Sequence, residues 1–207
     1  MPYRLLTLDP KTPARVRQLV QSLEDHFFRD VHTMLRLPEP GQQLTAGCNF
    51  AITQVLAAAV SGISVTLYSH TGGSGARFKA LLKDFYPWTL EPGSTVAPQA
   101  GAEVIYSLIR NPLTHDLGLD LEKKRKTQKV VIKRLTTEEG RKGLPEHIIE
   151  QLEKPTRVVT MSPTVTILSG RTVLLVEAFY WGVRRMVEDL TRDSSRMLAA
   201  KAFIASI

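Results

Sequence analysis

The stretch Tyr106-Ser107-Leu108-Ile109-Arg110-Asn111-Pro112-Leu113-Thr114-His115 sets an arginine, a side-chain amide and a histidine close together around a proline. Histidine exchanges protons near neutral pH. Arginine stays charged and offers a fixed fork of donors that matches a phosphate. Asn111 can hold a phosphate oxygen or orient the imidazole. On an unbroken helix, residues five apart diverge by about 140°. Pro112 has no backbone donor and its ring crowds the preceding turn, so the helix is expected to end or kink near Arg110-Asn111 and return His115 over Arg110. Such a set suits metal-free attack of an RNA 2′-hydroxyl on its own phosphodiester. His115 would move the protons, and Arg110 would stabilise the crowded negative charge. A bland reading fits the same residues: His115 and Asp116 as a capping pair, and Arg110 clasped by Glu103 or Asp116. Spacing alone is not diagnostic, because Arg141 and His147 form a comparable pair among Gly140, Gly143 and Pro145.

The elements that must carry this set are mainly helical. Thr12 and Pro13 make a helix start. Val16, Leu19, Val20, Leu23, Phe27, Val31, Met34 and Leu35 then form one apolar stripe to about residue 36. Phe50 to Val60 is apolar nearly all round, as befits the centre of a bundle; Gly62, Ile63 and Val65 allow a kink beyond it. Residues 70–75 are a glycine-rich joint lacking the lysine–serine/threonine end of a phosphate loop. A short helix follows to Tyr86, with Phe78, Leu81, Leu82 and Phe85 on one face. Residues 88–98 read as irregular, and a further helix covers residues 99–111. Beyond Asp120 the pattern turns to strands: 129–135, 157–161 and 164–168, with a short helix at 145–153. A closing helix is expected from Thr172 to Asp193, with a last piece from Ser194 to Ile204.

The expected architecture is therefore a helical bundle core over 1–120, a basic β-containing insertion over 121–170, and C-terminal helices over 171–207 that complete the bundle. The 207 residues, 43% of them hydrophobic, suffice for one sizeable core. The single cysteine, Cys48, excludes an internal disulfide and any cysteine-built metal cluster within one chain. The first fifteen residues have no signal-peptide apolar region, and the longest apolar stretch is interrupted by polar residues, so a cytoplasmic protein without membrane contact is expected.

Charge is concentrated. Net charge is +7, and the segment from Lys123 to Lys142 holds nine basic and two acidic residues, leaving the remainder formally neutral. Lys123, Lys124, Arg125, Lys126, Lys129, Lys133 and Arg134 are candidates to hold a phosphate backbone. A DNA-binding regulator would need a helix with a basic exposed face, and the charge falls instead on and around expected strands.

Arg110-Asn111-Pro112-Leu113-Thr114-His115 resembles the hallmark of the HEPN superfamily: arginine, a polar residue, three more residues, then histidine, late in a helical bundle. The resemblance covers the helices around Thr12–His115 and the return helix. It implies a HEPN-type bundle with Arg110, Asn111 and His115 as site residues. It also implies a homodimer and a metal-independent endoribonuclease needing no cofactor, of a class that includes toxins and defence proteins. Other members are non-catalytic helical partners, so a protein that binds RNA or a partner protein is the alternative. The β insertion is not part of the family's core pattern.

Overall fold

In the computed structural model, the described residues are 5–6, 8–12, 14–36, 48–68, 72–91, 93–112, 129–133 and 163–192. The helices are α1 (Ala14–Leu23), α2 (Arg29–Arg36), α3 (Asn49–Leu67), α4 (Ser74–Phe85), α5 (Pro98–Val104) and α6 (Val176–Arg192). A three-stranded sheet precedes α6: β1 (Lys129–Lys133), β2 (Val165–Leu168) and β3 (Arg171–Leu175). The fold is thus mainly helical with a small sheet before the last long helix.

The first rod runs from α1 to α2 through a π-helical turn, Glu24–Phe28. A π turn inserts one extra residue, which advances the buried face. Val16, Val20 and Leu23 are buried, and from the end of the π turn Phe28 and then Val31 take over. Phe27, the residue that unbroken periodicity selects, is only partly buried, and the fully buried ring is Phe28. Helix α3 continues through Gly62 without a break. It buries Ile52, Leu56, Val60 and Ile63, while Phe50 and Val65 stay exposed. Its length and composition would allow it to cross a membrane, yet 44% of that window is buried inside the bundle.

The sheet corrects the sequence expectation at one boundary. Residues 172–175, expected in the closing helix, are strand. Thr172 and Val173 are β-branched and follow a turn in which Gly170 has φ +72°. β3 pairs antiparallel with β2 (Leu168 opposite Arg171) and parallel with β1 (Lys129 opposite Arg171), giving the order β1-β3-β2. The sheet therefore extends past residue 170, and the C-terminal helical unit begins at Val176. The expected pieces at 145–153, 157–161 and 194–204 lie outside the described residues.

The stretch expected to be irregular, residues 88–98, opens on a short helical turn. Trp88–Leu90 form one 3₁₀ turn. The Trp88 indole donates to the Leu82 carbonyl at 2.7 Å, and Tyr86 packs 4.5 Å from Trp88, centroid to centroid. Both rings need glycines opposite them: a Cβ at Gly182 would overlap Tyr86, and one at Gly101 would overlap Trp88. The Tyr86 hydroxyl bonds the Thr164 hydroxyl, which in turn donates to Glu91 Oε1 at 2.5 Å. This chain ties the end of α4 to the start of β2.

Glu91 is buried, and its Oε2 has no hydrogen-bond partner among the described residues. Burial raises its pKa above the ordinary carboxylate value, with the Thr164 bonds working the other way. The folded protein therefore holds this proton more tightly than the unfolded chain. The stabilisation is fully present below the unfolded carboxyl's pKa, about 4.3. It is lost as pH rises through the raised folded value. Thermal unfolding between pH 4 and 8 is expected to show a fall in Tm with rising pH that is smaller in Glu91→Gln. Identical pH profiles for the two proteins would refute this role for Glu91.

Candidate functional site

α5 continues through a second π-helical turn, Ile105–Arg110. The Asn111 amide reaches back five residues to the Tyr106 carbonyl, and helical conformation persists through Pro112. The expected break is thus a change of helical pitch. The wider turn loosens the hydrogen-bond ladder just upstream of a proline that cannot donate to it. Ile105, Leu108 and Ile109 are buried in the core. Glu103, Tyr106, Ser107 and Arg110 are left on the outer side, where α5 meets α4.

Arg110 is half-buried and held from two directions. Its Nη1 donates to Asn111 Oδ1 at 2.9 Å, and its guanidinium carbon lies 5.6 Å from the centre of the Tyr106 ring. Stacking over a ring and an amide bond both limit the rotamers of a long side chain. Asn111 therefore orients the arginine. Tyr106 is fixed in turn: it packs against Phe78 with centroids 5.6 Å apart, and its hydroxyl end lies over Gly75, where any Cβ would collide with it.

A second cation shares the same ring. Lys79 of α4 lies 5.4 Å from the Tyr106 centroid and 2.9 Å from Glu103 Oε2. The Ser107 hydroxyl donates to the other oxygen of Glu103. Of the two acids expected to clasp Arg110, Glu103 engages Lys79 and Ser107, and Asp116 lies outside the described residues. The i, i+4 spacing of Glu103 and Ser107 could have revealed one of these bonds. Nothing local in the sequence points to Lys79.

His115 lies outside the described residues, as do Lys123, Lys124, Arg125, Lys126 and Arg134. Lys129 and Lys133 begin and end β1, opposite Arg171 and Leu175 of β3. That edge strand gives part of the basic segment a fixed backbone. Among the described residues, no three His, Cys, Asp or Glu side chains stand together as a metal site. What the described site offers is an oriented guanidinium and an ammonium that share one ring, carried by two packed helices and suited by charge to an oxyanion. No protein-family model matches the chain, and no curated protein or solved structure gives a significant match to it.

Proposed function

We propose that this chain is an RNA-directed HEPN-like protein that acts as a homodimer, with metal-independent endoribonuclease activity. In this reading His115 takes the proton from a ribose 2′-hydroxyl, whose oxygen then attacks the adjacent phosphorus. The 5′-oxygen of the next nucleotide leaves with a proton given back by the imidazolium, giving a 2′,3′-cyclic phosphate and a 5′-hydroxyl. Arg110 neutralises the charge that builds on the phosphoryl oxygens, and the basic segment around β1 holds flanking RNA. Two copies facing across a two-fold axis would place two such sets together.

The observation that carries the reading is the setting of Arg110. An arginine fixed by Asn111 and Tyr106 is preorganised to meet charge that develops only in the transition state, and it stands just before Pro112 and the motif's histidine. Incubating the purified protein with RNA in excess chelator tests it. Cleavage with cyclic phosphate ends is expected from the native chain. Arg110→Ala should lower the rate by about 10²–10³-fold, and His115→Ala by about 10²–10⁴-fold. Equal cleavage by all three proteins would end the catalytic assignment. Arg110-dependent RNA binding without cleavage would place the chain among the non-catalytic helical partners.

A further inference from the structure

We propose that Lys79 is a second phosphate ligand of the RNA site centred on Arg110, held in place by Glu103 beside the Tyr106 ring until RNA displaces that carboxylate. The inference rests on the RNA-directed reading of Arg110 and extends the site to a residue on another helix.

Two cations anchored on one ring carry the argument. Lys79 and Arg110 lie 5.4 Å and 5.6 Å from the Tyr106 centroid. The two distances bound their separation at about 11 Å, close to the Debye length of roughly 10 Å at 0.1 M salt. At that range both charges act on the same stretch of backbone. They stand on different helices, so two contacts fix the direction of a strand as well as its position. The ring and the Gly75 contact hold the platform between them.

The pairing of Lys79 with Glu103 suits a displaceable contact. The side chains are 31% and 49% exposed, and ion pairs this open contribute little to stability. Glu103 keeps its Ser107 bond on the other oxygen, so it has somewhere to stay when the ammonium turns to a phosphate. In the free protein the carboxylate positions Lys79 and partly cancels its charge. This predicts opposite effects from the two members of one ion pair.

The test is anisotropy titration of a labelled single-stranded RNA with every 2′-hydroxyl methylated, so that it cannot be cleaved, from 50 to 300 mM KCl. Lys79→Met should weaken binding and make the slope of log K against log salt shallower by about 0.7, the share of one phosphate on a single strand. Lys79→Arg should retain the slope. Glu103→Gln should tighten binding severalfold at low salt. Weaker binding from both Lys79→Met and Glu103→Gln, with the native slope kept, would show a structural clasp and overturn the proposal. Arg110→Ala separates the two failures. If it leaves affinity and slope unchanged, the RNA reading itself is wrong. If it flattens the slope while Lys79→Met does not, only the role of Lys79 falls.

Discussion

Arg184→Met is expected to destabilise the fold by about 3–5 kcal/mol, the usual result of removing one member of a buried ion pair. Arg184 is 3% exposed on α6. Its Nη2 lies 3.6 Å from Glu24 Oε1, and its Nη1 donates to the Tyr180 hydroxyl at 3.0 Å. Phe28, Tyr180 and Trp181 each present a ring 5.6 Å from its guanidinium carbon. Glu24 also accepts the Leu6 amide, while its Oε2 has no hydrogen-bond partner among the described residues. Burial already raises the Glu24 pKa against the pull of Arg184. Without the arginine the carboxyl must take up a proton or remain an uncompensated buried charge. The double variant Glu24→Gln/Arg184→Met removes both charges, and buried pairs so replaced often lose little. Urea unfolding of the two single variants and the double should therefore show a favourable coupling of up to about 3 kcal/mol. A loss under about 1 kcal/mol in Arg184→Met would mean that the ring cage and the ion pair add little to stability.

Gly182→Ala is expected to cost about 3 kcal/mol, the opposite of what helix propensity alone gives. In an open helix the same change gains roughly 1 kcal/mol. At Gly182 the new methyl would occupy the space of the Tyr86 hydroxyl. Tyr86 is itself buried and bonded to Thr164, so its ring has no free direction in which to retreat. Overpacking of this kind costs about 1–3 kcal/mol. Loss of the buried hydrogen bonds running to Glu91 adds about 1–3 kcal/mol. Gly62→Ala is the internal control. That glycine lies within α3, and an added Cβ meets nothing within 4 Å, so propensity should act unopposed and raise stability. Thermal melts that move the two variants in the same direction would sink the account.

The helical framework is legible in the sequence wherever apolar spacing follows the α period. The stripe of α1 and the buried face of α4, Phe78, Leu81 and Leu82, agree with it. Legibility fails at Phe28, because a π turn advances the face by one residue and no composition announces it. It fails again at Thr172–Leu175. There the same apolar run serves strand or helix, and pairing with β1 and β2 decides for strand. At the site, Arg110 and Asn111 stand out through local context. Their bond joins chain neighbours, and Tyr106 stands four residues before Arg110 on the same helical run, whereas the contact of that ring with Lys79 arises from the packing of α4 on α5. Such long-range contact leaves no spacing to read.

β3 ends at Leu175 and α6 begins at Val176. The middle strand of the sheet thus passes directly into the closing helix, with no linker in which a swivel could sit. The two are mechanically one lever: a tilt of the sheet is a tilt of the rod that bears Arg184 and Gly182. The basic edge strand β1, paired along β3, is coupled through that rigid joint to the interior of the bundle.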